Sequence, residues 1–337
     1  MPRARAPAPP AAILQAFARA QVLVIGDLVA DEYVYGETER ISREAPVLIV
    51  QYERAELRPG GAGNAALNLA ALGVQVRLLG AVGDDPLGRA LLAELEAGGV
   101  DVAGVQRVAG RATEAKTRIL AGGRSTRRQQ MLRLDRAPAG PLPPAEARRL
   151  LAELGRGARR AGAVLASDYG SGVVSAEVLA DLRRLRRGGL PVCADSRYGL
   201  ARCRGLSMVK PNEVELEAAT GLSLAAPGGL ERAAARLLGA VRCEVLLVTR
   251  GRNGMSVFRP GRRGVHLPAH GGQEAVDVTG AGDTVAAAYT AAIAAGGEAL
   301  AAARIANVAG ALQVRKPGTA TVSLAELAAE LDPGGGR

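Results

Sequence analysis

A chain of 337 residues with 48% hydrophobic content can bury a sizeable core, as one large domain or two smaller ones. Its net charge of +10 raises the question of a polyanionic partner, but the basic residues are spread along the chain and aromatics make up only 2%, so the stacking surfaces that single-stranded nucleic acid needs are scarce. No apolar run reaches membrane-spanning length, and a chain using arginine almost everywhere, with lysine only at Lys116, Lys210 and Lys316, points to a GC-rich genome rather than to a nucleic-acid surface.

The first ten residues are basic and proline-rich and lack the apolar centre of a secretion signal. Residues 1–19 are therefore expected to be a disordered tail and a first helix, and the chain is expected in the cytoplasm. An apolar run at 22–26 reads as a strand. Residues 33–57 are strand-patterned and helix-poor. A helix is expected at 62–72, a strand at 76–83 and a helix at 87–97, and residues 113–135 are again long and strand-patterned. Strands at 163–168, 190–195, 207–210 and 244–249 then alternate with helices at 145–155, 175–187 and 230–238. A small-residue helix at 285–295 follows. Such alternation predicts an α/β fold with a doubly wound parallel sheet, helices on both faces, in a single domain over 20–325 with a C-terminal tail at 326–337. The segments 33–57 and 113–135 break the rhythm and predict a small β-sheet lid, which would keep water from a transfer site.

Cys193, Cys203 and Cys243 are odd in number and lack metal-type spacing, so buried free thiols in a reducing compartment are expected. His266 and His270 are too few and too isolated to predict a metal centre.

Residues 277–286, Asp-Val-Thr-Gly-Ala-Gly-Asp-Thr-Val-Ala, are the most informative stretch. A polar turn runs straight into the apolar helix, so Gly280, Ala281 and Gly282 lie at a helix N-terminus, where unpaired amides and the helix dipole hold an anion. Asp283 places a carboxylate in the same turn. A base beside an anion hole is what phosphoryl transfer to a hydroxyl requires. The same residues also read as an ordinary helix start with a dipole-favourable acid.

Upstream lies Arg-Pro-Gly-Gly-Ala-Gly-Asn-Ala-Ala-Leu-Asn over 58–68. Gly61, Gly63 and Ala66 fit the dinucleotide pattern G-x-G-x-x-A, a weak match here because residues 53–59 separate it from the preceding strand. No G-x-x-x-x-G-K-[ST] occurs, which excludes a P-loop kinase by pattern. Asn64 reads either as a helix cap or as a ligand-binding amide. Asp31 lies just past the end of the first strand, where open parallel sheets bind ligands.

Together the glycine stretch at 58–73 and the Gly-Ala-Gly-Asp turn resemble the paired signatures of the ribokinase-like (PfkB) sugar kinases. The resemblance spans roughly 20–325 and includes Gly26-Asp27 through Asp31, Asn212-Glu213-Val214-Glu215 and Thr249-Arg250-Gly251. Residues 31–36, 40–46 and 129–135 look most like the bacterial heptose-7-phosphate kinases. The resemblance implies a kinase that uses ATP and Mg²⁺, with Asp283 as base and Gly280, Ala281 and Gly282 as anion hole. It implies sugar binding by Asp31, Gly60, Gly61 and Asn64. It assigns Asn212 and Glu215 to Mg²⁺, and Asn212, Glu213, Val214, Glu215, Thr249, Arg250, Gly251 and Asn307 to ATP. Asp277, Thr279, Gly318 and Ser323 resemble the monovalent-cation (K⁺) site of some members. Lys116, Arg118 and Arg133 alternate along the lid strands and are expected to clamp a phosphate already on the sugar. Asp195-Ser196-Arg197 stands where Asp-Pro-Lys is expected in heptose kinases, which keeps a cation but weakens the match to that substrate. The partners expected are a small-molecule sugar phosphate, no nucleic acid, no membrane, and a second copy in a homodimer through the lid strands. The His-x-Gly-His motif of bifunctional relatives is absent, so the kinase step alone is expected. A kinase for another sugar, sugar phosphate or nucleoside, and a catalytically silent sugar-binding regulator, are the alternatives.

Overall fold

The first strand, β1 (Gln21–Gly26), shows how the sequence builds two cores at once. Its side chains alternate: Val22 and Val24 enter the apolar cluster on one face of the sheet, and Leu23 and Ile25 enter the cluster on the other. A strand buried on both faces reads as a continuous apolar run, which is the mark of a parallel sheet under two helical layers. In the computed structural model, which describes residues 9–123, 128–271 and 275–331, β1 is flanked on both sides by parallel neighbours.

Before β1 comes α1 (Pro10–Gln15); after it come β2 (Leu28–Ile41), β3 (Leu48–Gly61), α2 (Ala62–Ala71), β4 (Gln75–Gly83), α3 (Pro86–Ala97) and β5 (Asp101–Val108). The middle of the chain supplies β6 (Ala115–Gly122), β7 (Gln129–Arg136), α4 (Pro144–Gly157), β8 (Ala163–Asp168), α5 (Ala176–Arg187), β9 (Val192–Ser196) and β10 (Met208–Val209). The last third supplies α6 (Glu213–Thr220), α7 (Gly229–Val241), β11 (Val245–Thr249), β12 (Met255–Phe258), β13 (Val265–Leu267), α8 (Ala281–Ala294), α9 (Ala299–Gln313) and α10 (Leu324–Leu331).

The large sheet has the order β13-β12-β11-β10-β9-β8-β1-β4-β5. It is parallel except at one edge, where β12 and β13 run antiparallel. The doubly wound α/β expectation holds. The antiparallel edge and β5 lie outside the predicted strands, because β12 and β13 are only four and three residues long and carry too short a pattern.

The second sheet, β3-β2-β6-β7, is the expected lid. It starts earlier than residue 33: β2 begins at Leu28, so Asp27 alone separates it from β1. The C-terminal boundary also moves. Residues 326–331 belong to α10 rather than to a tail, because Leu327 is buried against the core and Ser323 and Glu326 cap the helix reciprocally. The predicted tail residues 1–8 and 332–337 lie outside the described residues. No helix among the described residues is long and apolar enough to cross a membrane.

Helix α8 is apolar on all sides and built from alanine: Ala286, Ala287, Ala288, Ala291 and Ala292 are all buried. A helix of this kind packs inside the layers rather than on the surface. Its N-terminus is thereby held at the C-terminal edge of the sheet, where β1, β8, β9 and β11 also end.

Candidate active site

That edge opens into a cleft of about 1410 Å³, walled by the lid on one side and the α8 N-terminus on the other. At its floor Gly280 caps α8 in the left-handed region, φ 81°, and a Cβ there would lie 2.6 Å from Asn64 Nδ2. Glycine is thus required by backbone and by space. The Ala281 amide donates to the Val278 carbonyl at 3.2 Å, so it is not part of an anion hole. The amides of Gly282 and Asp283 remain, since first-turn amides lack intrahelical acceptors. Beside Gly282 stands Lys210: a Cβ on Gly282 would come within 3.2 Å of its Nζ.

Asp283 is 4% exposed. Asn64 Nδ2 donates to its Oδ2 and the Tyr169 hydroxyl donates to its Oδ1, both at 2.8 Å. Burial, then the charge of Asp195, push the Asp283 carboxyl up to about 7 against the pull of Asn64, Tyr169 and Lys210. A carboxylate held near neutrality is matched to taking a proton from a hydroxyl.

Asn64 is neither cap nor cleft residue. It sits in the first turn of α2, 1% exposed, behind Asp283. Its Oδ1 accepts from Asn68 Nδ2 at 3.1 Å, and Asn68 Oδ1 accepts from Thr284 at 3.1 Å. This relay ties α2 to α8 and aims the Asn64 amide at the carboxylate. A direct bond from Asn64 to sugar is therefore corrected to a positioning contact. Gly60 is likewise off the cleft wall: a Cβ there would meet Asp31 Oδ2 at 2.2 Å, so its absence of side chain lets Asp31 sit where it does. Gly61, φ 57°, caps α2 and lines the cleft.

Asp31 lines the cleft, and its Oδ1 already accepts from Arg118 at 2.6 Å. Lys116 and Arg118, two apart on β6, and Arg133 on the paired β7 all face the cleft as expected. Their partners differ. Arg118 is committed to Asp31, Arg133 holds Asp135 in a two-pronged contact at 2.8 and 2.9 Å, and Lys116 stands 3.8 Å from Glu114 and over the Tyr169 ring.

At the other end, Asn212 and Glu215 form a reciprocal capping box at the start of α6, a device worth about 1 kcal/mol. Both line the cleft. Burial first of all raises the Glu215 carboxyl, opposed by the Asn212 amide and Lys210. Among the described residues no three carboxylate, histidine or thiol groups cluster as direct metal ligands. Glu213, Val214, Thr249, Gly251 and Asn307 are on the wall, with Val214 74% exposed. Arg250 is not: its guanidinium turns to Glu213 and Ser256, so it supports the wall.

Asp277, Thr279 and Gly318 come together, with the two Asp277 oxygens accepting the Thr279 and Gly318 amides at 2.9 Å each. Ser323 does not join them. Ser323-Leu-Ala-Glu326 is itself a capping-box sequence, and its serine is spent on α10.

Lys210 and Tyr169 carry no sequence signal of their own. Lys210, 4% exposed, pairs with Asp195 at 3.0 Å; burial opposes its charge, but Asp195 and Glu215 outweigh it and hold its pKa above the usual value. Tyr169 is aimed by Asp27, whose buried carboxylate accepts the amides of Tyr169, Ser171 and Val173 at 2.8, 3.1 and 3.0 Å. Cys193, Cys203 and Cys243 are buried and unpaired, as expected, with burial pushing each thiol up to about 12.

The sequence profile of the pfkB family carbohydrate kinases matches residues 19–326. Among curated proteins, the bifunctional protein HldE of Geobacter sulfurreducens is 42% identical over 311 residues, covering 92% of this chain and 62% of that protein. That of Geotalea uraniireducens is 42% identical over 315 residues, covering 92% and 63%. The chain thus spans less than two thirds of the length of these relatives. Among solved structures, Arabidopsis thaliana ribokinase complexed with ribose and ATP superposes with a TM-score of 0.72 at 20% identity, covering 93% of this chain and 98% of that one. Escherichia coli phosphofructokinase-2 in complex with potassium gives 0.73 at 19% identity, covering 93% and 98%. At these identities the two structures speak to the fold alone.

Proposed function

The chain belongs to the pfkB family of carbohydrate kinases, and from that premise we propose that it transfers the terminal phosphoryl group of ATP to the anomeric hydroxyl of D-glycero-D-manno-heptose 7-phosphate. The observation that carries this reading is the cleft itself. A buried carboxylate of near-neutral pKa, Asp283, lies at a helix N-terminus on one wall, and the cations Lys116, Arg118 and Arg133 lie on the facing lid. Base and cations lining one cleft fit an acceptor that carries a phosphate as well as the reacting hydroxyl. The motifs at 31–36, 40–46 and 129–135 favour a heptose 7-phosphate among such acceptors.

Asp283 accepts the hydroxyl proton as the sugar oxygen attacks the γ-phosphorus and the bond to ADP breaks. The Gly282 and Asp283 amides and Lys210 face the charge that spreads over the phosphoryl oxygens. Asn64 and Tyr169 hold the base in place. Asn212 and Glu215 are the residues that would hold Mg²⁺ through water, and the ion supplies charge neutralisation at the phosphates. The strand-end residues Thr249 and Gly251, with Asn307, form the nucleotide side. The lid closes over the acceptor and excludes water.

A homodimer through the lid is part of this reading. Ile41, Leu48, Tyr52, Leu132 and Leu134 are exposed on the lid sheet, and a second copy would cover them. Sedimentation tests it: the unaltered chain is expected to be dimeric and Leu134→Lys monomeric, and a monomeric unaltered chain sinks the idea.

The substrate assignment is tested by a panel of phosphorylated and unphosphorylated sugars with ATP. Heptose 7-phosphate is expected to give the highest kcat/KM, with a 1,7-bisphosphate as product. Equal turnover of the unphosphorylated sugar overturns the assignment and returns the acceptor to another member of the sugar class. No ATP turnover with any sugar favours the silent regulator.

A further inference from the structure

Gln313, the last residue of α9, is fully buried, and its side chain does not follow the apolar pattern of that helix. Its Nε2 donates to the Thr279 carbonyl at 2.7 Å and to the Gly318 carbonyl at 3.0 Å. Those are two of the positions that the family resemblance assigned to a monovalent cation. The Oε1 end meets no donor among the described residues. The orientation of the amide is therefore set by the two carbonyls: reversing it would press three oxygens together.

A monovalent cation at this place needs those carbonyl oxygens turned toward it. Here both accept N–H bonds, and an NH₂ group presents its positive end where the cation would stand. Asp277 is engaged as well, each of its oxygens accepting a backbone amide, and Ser323 is at the α10 cap. The residues do not fit the ion. They fit a closed network in which Asp277 accepts from the 279 and 318 amides while Gln313 donates to the 279 and 318 carbonyls.

We propose that the Gln313 carboxamide takes the place of the monovalent cation in this chain, clasping the 277–280 turn to the 316–319 loop so that neither stability nor turnover depends on K⁺. Gln313 is a positioning residue. The carbonyl it holds belongs to Thr279, which immediately precedes the Gly280 cap and hence the first-turn amides and Asp283. A cation does this work by charge; an amide does it with two oriented N–H dipoles, at no cost in bulk ion.

Two measurements on the full chain test it, in KCl and in tetramethylammonium chloride at matched ionic strength. The first is thermal melting, which is independent of the kinase reading; the second is kcat with ATP and the sugar phosphate, which rests on it. The unaltered chain is expected to melt at the same temperature in both salts and to keep kcat within about twofold. Gln313→Glu removes one donor pair and adds negative charge beside two carbonyls. It is expected to melt lower and lose about tenfold or more in kcat without K⁺, the equivalent of one buried hydrogen bond, and to recover both in KCl. Gln313→Ala serves the same purpose if the glutamate variant does not fold. A K⁺-specific rise in the melting temperature or kcat of the unaltered chain overturns the proposal. So does a Gln313→Ala variant indistinguishable from the unaltered chain in both salts, because the amide would then hold nothing. Should no sugar be phosphorylated at all, the melting arm still decides.

Discussion

The Tyr169 hydroxyl and the Asp283 carboxylate, 114 positions apart in sequence, are joined by a hydrogen bond of 2.8 Å in which the tyrosine donates. The tyrosine is kept neutral, its pKa pushed well above the usual value by burial and then by the charge of Asp283. It therefore stabilises the charged form of the base without competing for its proton. Tyr169→Phe is expected to move the acid limb of kcat/KM to higher pH, by on the order of half to one unit for one neutral hydrogen bond. Activity at pH 6 should fall more than activity at pH 9. A pH profile that keeps its shape would reduce Tyr169 to packing.

Asp283→Asn removes the base while keeping the side-chain shape. A positioned carboxylate contributes about 10²–10⁴-fold, so kcat should drop by at least the lower figure, with circular dichroism confirming the fold. The same residue has a stability signature. Its folded pKa of about 7 lies above the usual value of 3.8, so the folded state keeps a proton that the unfolded chain gives up. The resulting stabilisation is complete below about pH 3.8 and is lost as pH rises through about 7. Melting temperature measured from pH 5 to pH 8 should therefore fall less steeply in Asp283→Asn than in the unaltered chain. Parallel curves would contradict the raised pKa.

Gly280→Ala leaves Asp283 in place but puts a Cβ at φ 81°, 2.6 Å from Asn64 Nδ2. The left-handed backbone costs a non-glycine residue roughly 1–2 kcal/mol, and the amide that steadies the base must move. Steady-state assays should show kcat reduced about tenfold or more, since oriented donors act in the transition state. Normal kcat in a folded variant would mean that Asn64 is dispensable.

Of the three lid cations, Lys116 has the loosest carboxylate partner, Glu114 at 3.8 Å, and is only 20% exposed. Lys116→Ala should raise KM for the sugar phosphate roughly tenfold, the loss of one charge-assisted contact, with KM for ATP nearly unchanged. Arg133→Ala should do less, because Arg133 is half exposed and already bound to Asp135. Equal effects on a neutral sugar would rule out a phosphate clamp.

What could be read from the residues alone was whatever repeats or clusters along the chain. The strand–helix alternation gave the sheet, and the glycine turn before an alanine run placed Asp283 at a helix start. What could not be read depends on single residues meeting across the fold. Asn64 lies 219 positions from the carboxylate it steadies. Lys210 and Asp195 are an ordinary lysine and aspartate until β9 and β10 set them side by side. Gln313 ends a helix whose other buried residues are apolar, so its pattern marks only an exception. Ser323 resembles a cation ligand by position, but its Ser-x-x-Glu sequence is a helix cap and its hydroxyl is spent there.

Asp27 alone separates the central strand from the first strand of the lid, so the lid is rooted directly on the sheet that carries the site. The root of the β2–β3 ribbon holds Asp31, paired in register with Arg58, while the turn at its tip, residues 42–47, contributes nothing to the cleft wall. Because side chains repeat every second residue along a strand, trimming or extending both arms by two at the tip leaves every residue nearer the root on its own face. The length of the ribbon can thus vary at its tip without a single substitution among the groups that line the cleft.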